Sequence, residues 1–348
     1  MPNPRLTAAA FLPLLLAALA ALAVPPASAG PVEPPLELLF APDNRLVAGE
    51  LLEVNPPARL VFSRREVLSG QDDVPERIDV RAPEAAVRGA RIGEAYLFGY
   101  TFLRKDPRGP EREMVDKEGA RLLDSIGLEP ALFHDTPAAR AILAQASTRD
   151  GRESRKLLVL LLDALAGDDP SLRVLAAGQL AQDPEAAERL RRGDRAAIEA
   201  VARNPATPAG VRRTLLMAAW RRPEALGDWW KAAALDMVTT TPAGGYAGAA
   251  TDPSGLALAA LELLDARHVP VPAEALQRWV RSGEPLLVER AGSMLRRESP
   301  ALERKAIGEA LADPALPAAH RKFLNDHLRR LERHDGGAKA PKDGTGRS

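Results

Sequence analysis

"DDPSLRVLAAGQLAQ", residues 168–182, decides how the second half of this chain is read. Asp169 followed by Pro170 is a helix start. The carboxylate can accept from orphan amides of the first turn, and proline at the first helical position forfeits no hydrogen bond. Leu172, Leu175, Ala176 and Leu180 then fall at i, i+3, i+4 and i+8, which is one helical face. Ala176 sits in the middle of that face, where a small side chain lets another helix come close.

The same spacing returns downstream. Val211, Thr214, Leu215 and Ala219 follow "NPATPAG", and Gly255, Leu258, Ala259 and Leu263 follow "TDPS". Leu287, Ala291 and Leu295 follow "SGEP", and His320, Phe323, Leu324 and Leu328 follow "DPALPAA". The anchors at 172, 211, 255, 287 and 320 are separated by 39, 44, 32 and 33 residues. Between each pair lies another amphipathic segment, such as 194–204, 223–238, 273–283 and 300–312. A single hairpin cannot bury both of its apolar faces, so a repeating stack is expected. An irregular all-α domain is the alternative. "LLVLLLDALAG" (157–167) is apolar nearly all round, which suits a helix held between neighbours. The segment 317–332 is rich in Arg, Lys and His, as a terminal capping helix should be.

"DPSLRVLAAGQLA" (169–181) resembles the second helix of a HEAT repeat: Asp-Pro, an aliphatic residue, Arg, then Ala-rich packing positions and Leu. Arg follows the anchor again at Arg212 and Arg321, and is missing after 255 and 287. The resemblance covers about 150–332 and implies a curved α-solenoid whose inner surface holds a protein or peptide.

Residues 36–105 have a different texture. Leu60 and Phe62 alternate, as do Ile78 and Val80, and Tyr96, Phe98, Tyr100 and Phe102 share one face at period two. With 45–54, these segments predict a small barrel or sandwich of about five strands. The order "VAGELLEV", "LVFSRREVLSG", "IDV", "IGEAYLFGY" resembles OB-like barrels of the netrin or metalloproteinase-inhibitor type. That family's N-terminal Cys and disulfides have no counterpart here, because the chain has no cysteine. No binding residue is therefore carried over from it.

The opening residues form a separate unit. Arg5, the apolar run 8–24 and "ASA" (27–29) make a secretory signal peptide, with cleavage expected after Ala29. An uncleaved anchor is the alternative, since the run approaches spanning length. Without a cysteine the chain is not a lipoprotein. The expected location is the periplasm or outside the cell, with no stable membrane insertion after cleavage. The Ala-, Arg-, Pro- and Leu-heavy usage is that of a GC-rich bacterium. Lys+Arg and Asp+Glu are equal at 47 each, so no net field draws the protein to nucleic acid.

The sequence therefore predicts an α+β, multi-domain chain: a small OB-like β-barrel or sandwich, then a HEAT-like right-handed α-helical repeat domain. The boundaries expected are 1–29 signal peptide, 30–110 β-domain, 111–149 helical connector, 150–333 solenoid and 334–348 disordered tail. In the connector, Met114, Leu122 and Ile126 stand at near-helical spacing and Gly127 looks like a helix end.

Motifs for chemistry are sparse. There is no G-x-S-x-G, S-x-x-K, H-E-x-x-H or P-loop. His320, His327 and His334 recur every seven residues, a rise of roughly 10.5 Å per step, too far for one metal ion. His134 and His268 read as surface or turn residues. Asp72-Asp73 suits a turn, and Asp169 of the Asp168-Asp169 pair suits a cap. No catalytic residue, metal site or cofactor is predicted. The segment 239–255 lengthens one repeat, and insertions in solenoids map to loops, often on the binding face. Trp220, Trp229 and Trp230 precede it and Tyr246 lies within it. These four are the candidate partner-binding residues, with gap-filling in an Ala-rich core as their alternative role. The expected function is an exported, monomeric, non-catalytic protein-binding or scaffold protein. Its rivals are a periplasmic hydrolase using carboxylates, and an inhibitor or sensor acting through the β-domain.

Overall fold

The computed structural model describes residues 33–70, 74–102, 119–243 and 252–337. The signal segment, the turn at Asp72-Asp73, the first part of the connector, Tyr246 and the end of the tail lie outside them. The described residues from Pro34 onward form one compact unit, of α+β class. Among them no helix is long and apolar enough to cross a membrane.

A short helix, α1 (Pro35–Leu39), leads into β1 (Asn44–Asn55), β2 (Arg59–Ser69) and β3 (Arg77–Arg81). Helix α2 (Glu84–Gly89) then precedes β4 (Ala95–Phe102), β5 (Ala120–Leu122) and β6 (Leu132–His134). Strand order β1-β2-β3-β5-β4 closes through β4–β1, giving a five-stranded barrel compatible with the OB-like one expected. Only β3–β5 is parallel. The period-two reading of β4 holds: Tyr96, Phe98 and Tyr100 are buried in the barrel interior with Phe62, and the Phe62 and Phe98 rings stack at 4.1 Å. Burying each such ring contributes about 1.5–3 kcal/mol. Gly49 lets β1 bend there, since a Cβ would stand 2.6 Å from the Ser63 carbonyl oxygen.

Among the described residues 119–149, the expected helical connector begins with strand rather than helix. Ala120 and Leu122 alternate inward and close the barrel as β5, and helix resumes only at α3 (Pro137–Ala146). Both β5 and β6 pair with β4, so the residues between them loop outward. Gly127, at φ +89°, serves that loop and ends no helix. The barrel's fifth strand thus lies past residue 110, and the sheet continues to His134 in β6.

After α4 (Arg149–Arg152) come α5 (Arg155–Ala166), α6 (Pro170–Gln182), α7 (Pro184–Glu188), α8 (Arg192–Arg203) and α9 (Ala209–Arg221). The rest are α10 (Pro223–Leu226), α11 (Trp230–Thr240), α12 (Asp252–Ala266), α13 (Ala273–Arg281), α14 (Pro285–Glu298), α15 (Pro300–Ala312) and α16 (Ala318–Gly337). Asp169 caps α6 as expected, accepting from the amides of Ser171 at 2.9 Å and Leu172 at 3.0 Å. The hairpins are α5/α6, α8/α9, α11/α12, α13/α14 and α15/α16. Their second helices pack in series: α6 on α9, α9 on α12, α12 on α14. The first helices pair less regularly, α5 with α8 and α13 with α15. Each hairpin therefore buries its apolar side on its neighbours rather than about one shared centre.

One helical reading shifts and one holds. In α12 the inward face is Leu256, Ala259, Ala260 and Leu264, so the anchor is Leu256 rather than Gly255. One residue turns a helix by about 100°. Alanine and leucine on both sides of α12 blur the register. Helix α5 is held between neighbours as expected, packing on α3, α6 and α8: Leu157, Leu158, Leu161 and Leu165 are buried, Leu160, Leu162 and Ala164 pack at its sides, and Val159 and Asp163 face out.

Candidate binding surface

The barrel and the stack share one apolar core. Leu46, Ala48, Leu97 and Phe133 lie on the outer wall of the barrel and cluster with α1, α3 and α6. A close approach joins two glycines: a Cβ on Gly178 of α6 would stand 2.4 Å from the Cα of Gly127. Polar bonds fix the register around it. Gln179 Oε1 accepts from the Leu36 amide at 2.9 Å, and Gln182 Nε2 donates to the Ile126 carbonyl at 2.9 Å.

That contact defines a face that the following helices leave open. Val174, Gly178 and Ala181 stand two, six and nine residues beyond the anchor Leu172. The same offsets from Val211 give Arg213, Met217 and Trp220; from Leu256 they give Leu258, Glu262 and Asp265. In α6 these positions are small, and α1 and the Gly127 loop cover Gly178. In α9 and α12 they are long, aromatic or charged, and half-buried or exposed. The barrel therefore occupies the first position of a surface that continues along α9, α12 and α14, where Met217, Trp220, Leu258 and Glu262 stay half-buried or exposed among the described residues.

Links from helix to helix tie this surface together. Arg267 lies over the Trp220 ring, 5.5 Å from its centroid. Asp265 of α12 pairs with Arg290 at 2.8 Å and with Arg297, both on α14. Glu262 reaches Arg290 at 3.8 Å, and Glu289 reaches Arg330 of α16 at 3.7 Å. From the barrel side, Glu129 on the loop before β6 faces Arg213. Burial holds the Glu129 carboxyl above its ordinary range, against the pull of Arg213 and with help from Asp124. The surface thus carries both signs of charge around an apolar strip of Met217, Trp220 and Leu258.

Of the three predicted binding residues that are described, only Trp220 stands on this face. Trp229 and Trp230 point inward and present nothing to a partner: Trp230 is 2% exposed, and the Trp229 indole nitrogen donates to the Leu226 carbonyl at 2.9 Å. They fill gaps left by alanines in α11 and its neighbours. Tyr246 lies outside the described residues. Arg213, Met217, Leu258, Glu262 and Asp265 escaped the sequence reading. The available signal was their constant offset from the anchors, against small residues at the same offsets in α6.

The histidines take separate roles. His134 is exposed beside Glu94, and His268 makes a turn at φ +53°. His327 is buried, with Nε2 at 3.0 Å from Glu303 Oε1 and Nδ1 at 3.3 Å from Arg330 Nη2. An arginine can only donate. Nδ1 therefore accepts, and Nε2 carries the proton it gives to Glu303. Among the described residues no group of three or more His, Asp or Glu could hold a metal ion. Compared with known protein families, with curated proteins and with solved structures, the chain matches none.

Proposed function

We propose that this protein is an exported, non-catalytic scaffold that captures a protein or peptide along the open second-helix face. The observation that carries the reading is the offset pattern. Where α6 has Gly178 beneath α1 and the Gly127 loop, α9 and α12 carry Met217 and Glu262, flanked by Arg213, Trp220, Leu258 and Asp265, all half-buried or exposed among the described residues. A half-buried tryptophan beside interspersed charges is the composition of a protein-binding patch. The helical stack reads as HEAT-like: hairpins in series, with an arginine after the anchor in three of five second helices. Export is supported by the Arg5, 8–24 and Ala27–Ala29 pattern.

Site-specific photocrosslinking in cells tests this. Benzoylphenylalanine at Met217, Glu262 or Ser293 should give the same crosslinked species. The same group at Ala200 or Lys231, exposed on the opposite row, should give none. Trp220→Ala should reduce the yield without loss of folded protein. Equal yields from both rows, or none from the open face, would remove the proposal.

A further inference from the structure

A second surface lies at the seam between the barrel and α3. A cleft of about 320 Å³ is lined by Phe40, Glu66, Val67, Leu68, Arg140, Leu143, Ala144 and Ser147. Successive side chains of a strand point to opposite faces. Three consecutive residues, 66 to 68, line the cleft, which fits one running along the edge of β2. The pairing agrees. The ladder of β3 on β2 ends at Ser63, with one more bond from the Arg64 amide to the Glu76 carbonyl. Beyond that, β2 pairs among the described residues with β1 alone, through to Ser69. The outer edge of Arg65–Ser69 faces the cleft.

The floor of the cleft is apolar, from Phe40, Leu68 and Leu143. Its rim carries the Glu66 carboxylate and the Arg140 guanidinium, and Arg140 also holds Asp135 beside it. Arg140 Nε and Nη2 hold Asp135 at 2.5 and 2.8 Å, and Nη1 holds Glu66 at 2.8 Å. All three nitrogens of the arginine are engaged, and two carboxylates against one guanidinium leave the trio one negative charge in surplus. We infer that this cleft docks an extended peptide, added as a strand to the outer edge of β2, with an apolar side chain in the cleft and a Lys or Arg beside it. Main-chain bonds to the strand edge hold such a peptide, and the cleft and rim select its side chains. A cation on the peptide complements the surplus carboxylate.

The test uses the full chain and a fluorescein-labelled Lys-Val-Leu-Val-Lys peptide. Two controls are Glu-Val-Leu-Val-Glu and the basic peptide N-methylated at its central leucine. The basic peptide should bind, moving the amide resonances of Glu66–Ser69, and both controls should bind more weakly. Ala144 is exposed, so Ala144→Trp can fill the cleft without disturbing the core; Ser147→Trp serves if it misfolds. Filling the cleft excludes one apolar side chain and should weaken binding about tenfold or more. Glu66→Lys should abolish the preference for the basic peptide. Undiminished binding to both filled variants, or equal binding of all three peptides, overturns the inference. So does self-association that Ala144→Trp abolishes while no peptide binds, which would make the occupant a second copy.

Discussion

Arg212 of α9 donates from Nε to the carbonyl oxygen of Ala202, 3.0 Å away in the last turn of α8. Arg173 does the same for the Gly167 carbonyl after α5, and Arg321 for the carbonyls of Leu311 at 2.6 Å and Asp313 at 2.8 Å after α15. The last carbonyls of a helix have no partner inside it, and a cation there also meets the negative end of the helix dipole. The arginine after each anchor is thus a clasp across its own hairpin. Where it is missing, another group substitutes. Val238, near the end of α11, receives Trp279 Nε1 at 2.9 Å and Arg278 Nη2 at 2.5 Å from the next hairpin.

Replacing Arg212 by Met keeps most of its aliphatic length and removes the clasp. The loss should be about 1–2 kcal/mol, the scale of a charge-assisted hydrogen bond at a partly exposed site. Urea unfolding of Arg212→Met beside Arg213→Met checks it. Arg213 makes no such bond to a helix end and should cost under about 0.5 kcal/mol, as surface substitutions do.

Glycine-to-alanine changes should have opposite signs at two helical positions. Nothing lies within 4 Å of a Cβ on Gly308 in α15, so Gly308→Ala should stabilise by about 0.5–1 kcal/mol. Gly178→Ala gains the same propensity but drives a methyl into the Gly127 backbone. Overpacking of about 1–3 kcal/mol should outweigh the gain. Limited proteolysis should then cut at the seam between α6 and the loop around Ile126 before the helical stack.

The tryptophans should separate into two classes. Trp230→Ala opens a hole in the core and should cost about 3–5 kcal/mol. Trp220 is half-buried, so Trp220→Ala should cost less than half of that while weakening photocrosslinking from the open face. Thermal unfolding and crosslink yield, measured on the same preparations, distinguish the two effects.

Acid sensitivity should concentrate at Glu303. This carboxylate is 1% exposed, held by Arg296 at 2.6 and 2.8 Å and by His327 at 3.0 Å. Burial opposes its charge, but the bonds from Arg296 and His327 prevail and its pKa falls below the ordinary 4.5. The unfolded chain therefore takes up the proton first. The stability Glu303 contributes is full above 4.5 and is lost as pH falls through the lower folded value. Glu303→Gln should be less stable than the parent at pH 7, and the gap should narrow below 4.5. Chemical denaturation at a series of pH values would show this, and a constant gap would exclude it.

How much of this was legible depended on the length over which a pattern ran. The stripe Tyr96, Phe98, Tyr100 declared β4, and Asp169-Pro170 declared the start of α6. Strand β5 has three residues, too few for alternation to outweigh the helical spacing of Leu122 and Ile126. The slip from Gly255 to Leu256 arose because α12 is apolar on two sides. Trp229 and Trp230 could be read either as binding residues or as gap-fillers in an Ala-rich core, because sequence does not show which way a side chain points; the fold turns them inward. The arginine after the anchor was visible as a recurrence. Its acceptors, carbonyls ten or fewer residues away across a turn, needed the fold.

The glycine pair at residues 127 and 178 has a consequence for how such a molecule can grow. Because the barrel is seated on the first hairpin, no repeat can be inserted ahead of α6 without unseating it. A duplicate of the 273–298 hairpin placed before Pro300 meets no such obstacle. Length, and with it the reach of the uncovered side, is therefore adjustable from the carboxyl end alone, while the amino end acts as a fixed stop.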